Sequence, residues 1–167
     1  DLRTSRGLGD VYTRQSINDP GENGVIILEL SSYQLDGAKS LSLDIATIIN
    51  ITPDHLDYHE SFDKYVSSKL KIINFLKTNG IFIYDKSNKL LNKIIDTNKY
   101  NSLKFSITHA KEAKDFINDN NYLKGTHNAI NASIAISIAK KLNINDNKIE
   151  LAIKRFEGLS HRMEPLY

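Results

Sequence analysis

Two short polar segments carry the side chains in this chain that are best suited to binding ligands. The first begins at Glu29 and reads Glu-Leu-Ser-Ser-Tyr-Gln-Leu, at the end of the apolar run Val25–Leu30. The second contains His55 in the sequence Asn-Ile-Thr-Pro-Asp-His-Leu-Asp, at the end of the run Asp44–Ile51. Both runs predict buried strands. A carboxylate and an imidazole are therefore expected at the carboxyl ends of two strands, the edge where open α/β sheets bind ligands.

The acidic and imidazole side chains of these segments suggest a metal site. A carboxylate at the end of an apolar strand is costly to bury unless it is paired or bound to a metal, so Glu29 is a candidate ligand. His55 lies in a cluster with Asp54, Asp57 and His59, which could instead form a hydrated turn before a helix. Because the cluster directly follows a predicted strand, its position favours a site. Oxygen ligands and substrate phosphates suit Mg²⁺.

A single lysine interrupts the apolar face of the next predicted helix. This helix is expected to begin after an N-cap at Ser61 and to run to about Asn79, with Gly80 ending it. Its apolar stripe consists of Phe62, Val66, Ile73 and Leu76, and Lys69 falls in the middle of it, whereas Lys64 and Lys71 fall on the opposite face. Such a lysine either extends its ammonium to water or is a functional group in a perturbed environment. Both interpretations remain open on this pattern alone.

The third chemical motif opens a long helix near the carboxyl end of the chain. Thr126 is expected to cap a helix from His127 to about Leu142, with an apolar face of Ile134, Ala135, Ile138 and Leu142. Asn128 and Asn131 lie one turn apart, and their carboxamides could pair with an adenine edge or only cap the helix. Arg162, after the last helix, could bind phosphate bidentately or lie on the surface.

Strands and helices alternate along the rest of the chain, which predicts an α/β fold with a mainly parallel sheet flanked by helices. A short helix is expected to end near Leu41, and residues 110–122 are ambiguous. Further strands are predicted at Ile81–Tyr84 and Leu103–Ile107, and further helices over residues 87–97 and from an Asp146 cap through Phe156, before Gly158.

Composition narrows the classes of function. The 167 residues contain no cysteine, which excludes a disulfide framework and a cysteine metal site and is compatible with a reducing cytoplasm. The net charge of +2 gives no reason to expect nucleic acid binding. No apolar run approaches the length of a membrane span. We therefore expect a cytoplasmic monomer that binds neither nucleic acid nor a membrane.

Five segments, in order, resemble the Mur ligase family. They are Leu28–Leu35, Asn50–Asp57, Tyr65–Lys69, Gly125–Asn131 and Gly158–Glu164. Within the family, the Ser-Ser-Tyr-Gln-Leu segment is most similar to the branch that adds D-glutamate.

The resemblance implies a role for each candidate residue. Glu29 would bind one Mg²⁺, and His55 would hold a second Mg²⁺ close to the UDP-sugar peptide. Lys69 would be an N-carbamylated lysine that supports the second metal and the γ-phosphate. The remaining implied contacts are Ser31 and Gln34 with the UDP-muramoyl substrate, Asn128 and Asn131 with adenine, and Arg162 with the nucleotide.

The reaction that the resemblance implies is ATP-dependent amide formation. ATP would phosphorylate the terminal carboxylate of UDP-N-acetylmuramoyl-L-alanine, and the amine of D-glutamate would attack the acyl phosphate, in peptidoglycan precursor synthesis. Alternatives are a sister Mur ligase, a folylpolyglutamate-type synthetase, or a non-catalytic module that binds nucleotide or UDP-sugar.

The resemblance covers the central ATPase-type domain of the family only in part. Residues 1–22 match no family motif, residues 23–164 match the central domain without its phosphate-loop unit, and residues 165–167 would begin a linker to a further domain. Because the phosphate loop and the amino-acid-binding domain supply essential groups, the isolated chain is expected not to turn over.

Overall fold

The computed structural model describes residues 24–95, 104–108 and 110–158, which divide into two compact units. The described part of the first unit comprises residues 24–42 and 52–75, and that of the second comprises residues 43–51 and 76–158 with the same gaps. The first unit contains the helices α1 (Ser32–Gly37), α2 (Leu56–His59) and α3 (Phe62–Asn74). The second contains β1 (Leu43–Thr47), β2 (Leu76–Asp85), α4 (Lys89–Ile95), β3 (Lys104–Thr108), α5 (Ala110–Ile117), α6 (Thr126–Lys141) and α7 (Asp146–Lys154).

The second unit is built on a parallel sheet in the order β1-β2-β3. Its central strand, β2, is buried from Phe82 to Asp85, as expected for a strand paired on both edges and covered by helices. Helix α6 packs on β2 and β3, and its small buried residues Ala129 and Ala132 join a core cluster with α5 and α7. The predicted α/β class with a parallel sheet is confirmed. None of the helices within the described ranges is long and apolar enough to cross a membrane.

The predicted strand Val25–Leu30 is wrong. Residues 24–30 form neither helix nor strand, and Ile27 is 86% exposed. Apolar side chains predict a buried strand only where neighbouring backbone supplies a hydrogen-bonded ladder, and no such ladder pairs with this segment among the described residues. The other three predicted strands are confirmed, with shifted ends.

The predicted end of the helix after Ser61 is also wrong. Ser61 caps α3 as expected, but the helix ends at Asn74, and β2 begins at Leu76. Leu76 pairs with Leu43, and the ladder resumes only at Ile81 opposite Ile45, so β2 carries an irregularity over residues 77–80. Pairing with β1 therefore overrides the helical period in this stretch.

The remaining helices are confirmed with corrected ends. The N-cap of α6 is Gly125, not Thr126. The backbone of Gly125 has a φ of 97°, and no side chain caps this end of the helix. Asn145, not Asp146, caps α7, since its side chain accepts a hydrogen bond from the Asn147 N–H. Helix α1 ends at Gly37, before Leu41, and α7 ends at Lys154, before Phe156. Helix α4 covers Lys89–Ile95 of the expected 87–97, of which residues 96 and 97 lie outside the described residues. The ambiguous residues 110–122 contain α5.

Glycine is required at position 80 by close packing inside the irregular part of β2. A Cβ added there would lie 2.9 Å from Leu76 Cδ2, 3.0 Å from the Lys77 carbonyl oxygen and 3.1 Å from the Leu43 carbonyl oxygen. We predict that Gly80→Ala lowers the free energy of unfolding by about 1–3 kcal/mol, because backbone atoms must move. Urea denaturation measures the change.

Gly37→Ala is the matched control, since a Cβ at Gly37 meets nothing within 4 Å. It should leave the midpoint of the same transition unchanged or slightly raised. Equal midpoints for the two variants would contradict the packing constraint at Gly80.

Candidate functional site

The Ser-Ser-Tyr-Gln-Leu segment forms α1 and its cap. Ser31 is the N-cap, and its hydroxyl oxygen accepts a hydrogen bond from the Gln34 N–H at 3.3 Å. Gln34 Oε1 in turn accepts from the Ser31 N–H at 2.9 Å, which completes a capping box. Both predicted substrate contacts thus fix the start of this helix, and Ser31 is exposed whereas Gln34 is half-buried.

The backbone of His55 is in the left-handed region, with a φ of 52°, and it begins α2. Its N–H donates to Asp54 Oδ1 at 2.8 Å, and its ring Nε2 lies 3.4 Å from Asp54 Oδ2. The ring is 47% exposed and lies 4.9 Å from the Tyr33 ring. The structure therefore brings α1 and the residue before α2 together, although they are more than twenty positions apart in sequence.

A cluster of aromatic and imidazole rings fills the space between the three helices of the first unit. The Tyr33 ring lies 4.4 Å from Tyr58 and 5.6 Å from His59, and His59 lies 5.5 Å from Tyr65. Burial, with the negative charges of Asp57 and Asp54, raises the pKa of the Tyr33 phenol, so this hydroxyl stays protonated at neutral pH.

Lys69 is half-buried on α3, one turn after Tyr65. Its Nζ lies 5.1 Å from the centre of the Tyr65 ring, within range of a cation–π contact. Sequence reasoning placed Lys69 within an apolar stripe; the buried residues of α3 are Tyr65, Val66, Ser68 and Ile73. Lys69 thus borders the buried face of α3, and the middle of that face contains the polar residue Ser68.

A buried polar network that sequence reasoning missed runs beneath the rings. His59 is 4% exposed; its Nε2 lies 3.0 Å from Ser32 Oγ and its Nδ1 lies 3.5 Å from Ser68 Oγ. Ser68 donates to Asp36 Oδ1 at 3.2 Å, and Lys71 donates to the same oxygen at 2.5 Å. The hydrogen bond from Lys71 is the main cause that lowers the pKa of the Asp36 carboxyl.

Glu29 is exposed in the irregular segment 24–30. The argument that a buried carboxylate needs a metal or a cationic partner therefore does not apply to it. Within the described part of the chain, no three histidine, aspartate or glutamate side chains are grouped so that they could hold a metal ion. Whether Glu29 approaches His55 stays a prediction.

The predicted nucleotide residues of the second unit lie at the start of α6. The Asn128 amide nitrogen donates to the carbonyl oxygens of Lys124 at 3.0 Å and Tyr122 at 3.4 Å, so it anchors the preceding loop. Asn131 is exposed. The predicted apolar face of α6 is correct only in part: Ile134 is buried and Ile138 half-buried, but Ala135 and Leu142 are exposed. The buried residues of the helix are Ala129, Ala132, Ser133, Ile134 and Ile136. Arg162 lies outside the described residues.

A cavity of 350 Å³ lies beside the first turn of α6. It is lined by Lys114, Ile117, Asn118, Leu123, Lys124, Gly125, Thr126 and Ala129. The unsatisfied N–H groups of a helix start and two lysines give this cavity a positive electrostatic character, which suits an anionic group.

Comparison with known proteins agrees with this arrangement of motifs. The family description "Mur ligase middle domain" matches residues 13–144. The chain belongs to the Mur ligase family. The resemblance carried by the five sequence motifs is thereby confirmed, and the α/β architecture with a parallel sheet is that of a Mur ligase middle domain.

Curated relatives carry one name, UDP-N-acetylmuramoylalanine–D-glutamate ligase. The protein from Sphingopyxis alaskensis is 37% identical over 150 residues, which cover 86% of this chain and 32% of the relative. The protein from Zymomonas mobilis is 37% identical over 147 residues, covering 87% and 32%. The protein from Leptospira interrogans is 29% identical over 182 residues, covering 98% and 38%. The chain thus spans about a third of the length of these Mur ligases.

The ion pair at the end of the buried network gives a pH-dependent prediction. Because the pKa of Asp36 is lowered in the folded chain, its contribution to stability is present above the usual value of 3.8 and is lost as the pH falls through the folded-state pKa. We predict that Lys71→Met costs up to about 1 kcal/mol of unfolding free energy at neutral pH, a modest value because both side chains are partly exposed.

The cost should shrink as the pH falls below the usual value of 3.8, as measured by urea denaturation across a pH series. Lys64→Met is the matched control, because it breaks the more exposed pair with Glu60 on the same helix and should cost less. A Lys71→Met cost that is independent of pH would contradict the assignment.

Proposed function

We propose that this chain serves a ligase that joins D-glutamate to UDP-N-acetylmuramoyl-L-alanine at the expense of ATP. The terminal carboxylate attacks the γ-phosphorus of ATP, which yields an acyl phosphate and ADP. The amine of D-glutamate then attacks the acyl carbon, a proton leaves the nitrogen, and inorganic phosphate departs. Family membership and the name shared by the relatives support this proposal.

One geometric observation carries the proposal to particular residues. Tyr33, within the motif most similar to the D-glutamate-adding branch, contacts the ring of His55, within the second motif, at 4.9 Å. Two motifs that are remote in sequence therefore meet in one unit. In the proposed function, Ser31, Gln34 and His55 face the UDP-muramoyl substrate, and the capping box fixes the first two before any ligand binds.

Lys69 is proposed as the carbamylated residue of this site. A deprotonated lysine amine adds to CO₂ and releases a proton, which replaces a cation by a carbamate anion. Carbamylation would replace the ammonium that contacts the Tyr65 ring, so it must compete with that contact. The half-buried position next to the ring cluster limits the directions in which either form can point.

ATP is proposed to bind in the second unit at the start of α6, with Asn128, Asn131 and Arg162 as its contacts. The Asn128 amide nitrogen is engaged with the loop, so its carbonyl oxygen is the atom proposed for the adenine amino group. The positive cavity beside the same helical turn suits the phosphates. Glu29, His55 and Lys69 are the proposed ligands of Mg²⁺.

The test of the proposed function is a coupled assay for ADP on the complete gene product that contains this chain. ADP release should require ATP, UDP-N-acetylmuramoyl-L-alanine and D-glutamate together. L-Glutamate, L-lysine and a folate substrate serve as controls for the sister ligases and the folylpolyglutamate-type synthetases. Activity with one of these controls, but not with D-glutamate, would assign the chain to another ligase.

Lys69→Ala in the same protein should lower kcat by about a hundredfold or more, because an anionic group of the reacting site is lost. Short-chain carboxylates added to the solution should restore part of the rate by replacing the carbamate. Lys64→Ala, on the same helix but in an exposed ion pair, should retain the parent rate. A parent-like rate for Lys69→Ala would refute the role of this lysine.

A further inference from the structure

The buried imidazole of His59 lies at the centre of the ring cluster of the first unit. Its ring contacts Tyr33 at 5.6 Å and Tyr65 at 5.5 Å. Tyr33 contacts the His55 ring, and Tyr65 lies beneath the Lys69 ammonium. His59, which is 4% exposed, therefore contacts both Tyr33, the neighbour of His55, and Tyr65, the neighbour of Lys69. His55 and Lys69 are the two central residues of the proposed site.

The hydrogen-bond partners of His59 determine which ring nitrogen carries its proton. Lys71 donates to Asp36, and the ionised carboxylate of Asp36 can only accept hydrogen bonds. Ser68 must therefore use its single hydrogen on Asp36, which leaves only lone pairs of Ser68 Oγ for the imidazole.

Because Ser68 Oγ has no further hydrogen to offer, the proton of the neutral imidazole must be on Nδ1 and point toward Ser68. The bare Nε2 then accepts from the Ser32 hydroxyl at 3.0 Å. The chain of donors runs in one direction, from Ser32 through His59 and Ser68 to Asp36.

We propose that His59 is a positioning residue of the site, fixed as its Nδ1–H tautomer, which holds Tyr33 against His55 and Tyr65 against Lys69. Ser32 begins α1, His59 ends α2 and Ser68 lies within α3, so the two bonds of the imidazole join all three helices of the first unit. With both nitrogens engaged, the ring cannot turn over without breaking two buried hydrogen bonds. The effect on catalysis rests on the proposed function, whereas the tautomer and the ring positions do not.

The first arm of the test uses the 167-residue chain labelled with ¹⁵N at histidine. Two-bond ¹⁵N–¹H spectra distinguish the tautomers, and loss of signals in His59→Gln identifies the residue. The neutral imidazole of His59 should carry its proton on Nδ1, in Ser32→Ala as in the parent chain. It should lose this preference in Ser68→Ala. An Nε2–H form in the parent chain would overturn the proposal.

The same spectra test positioning without any need for activity. Ser68→Ala should shift the ring resonances of His55, because Tyr33 loses its fixed support. Ser133→Ala is the matched control: Ser133 is 4% exposed, bonds Thr108 Oγ1 at 3.1 Å, and belongs to the second unit. It should leave the His55 signals in place. Unchanged His55 signals in folded Ser68→Ala and folded Ser32→Ala would also overturn the proposal.

The second arm measures ligation by the complete gene product. Ser68→Ala should lower kcat on the order of tenfold, since small misplacements of reacting groups are costly, with little change in the KM for ATP. Ser133→Ala should keep kcat at a similar loss of stability. Equal kcat values in the two variants would refute the positioning role of His59. If the parent protein does not ligate, the proposed function is refuted, and the spectra alone decide the role of His59.

Discussion

Removing an imidazole from water is costly unless both ring nitrogens find partners, and the first unit is organised around that requirement at His59. Its partners, Ser32 and Ser68, lie on different helices. The two hydrogen bonds of the His59 ring therefore fix how α1 and α3 approach each other. The Lys71–Asp36 pair, at the open end of the network, orients the donors. The ring cluster that contacts His55 and Lys69 can then have one arrangement, which is the property a reacting site needs.

The second unit satisfies a comparable constraint with an amide. Asn120 is 4% exposed; it donates to the carbonyl oxygens of Ile153 and Phe156 and accepts from the N–H groups of Tyr122 and Leu123. This side chain therefore ties the end of α7 to the loop that precedes α6, and Asn128 holds the same loop from the other side. The loop before α6 is thus supported by buried hydrogen bonds to its backbone, while Asn128 is half-buried and Asn131 is exposed.

Sequence patterns predicted the features that depend on local periodicity. They missed the features that depend on contacts with residues distant in the sequence. The run Ile81–Tyr84 lies within β2, and Ser61 caps α3, because both signals are local. Leu76 fits the helical stripe of α3 equally well, yet pairing with Leu43 placed it in a strand. Val25–Leu30 has a strand composition, but none of the strands in the described ranges pairs with it. His59 was recognised only as part of a polar cluster, since its partners lie 27 and 9 positions away. Family motifs predicted where site residues occur, whereas their contacts required the fold.

The proposed function requires that a carboxylate be activated as an acyl phosphate. It is tested most directly by following ¹⁸O from UDP-N-acetylmuramoyl-L-alanine labelled in its terminal carboxylate, with the complete gene product, ATP and D-glutamate. Each inorganic phosphate released should contain one oxygen from that carboxylate, because the oxygen that attacks the γ-phosphorus leaves with the phosphate. Formation of the amide product together with unlabelled phosphate would contradict the account.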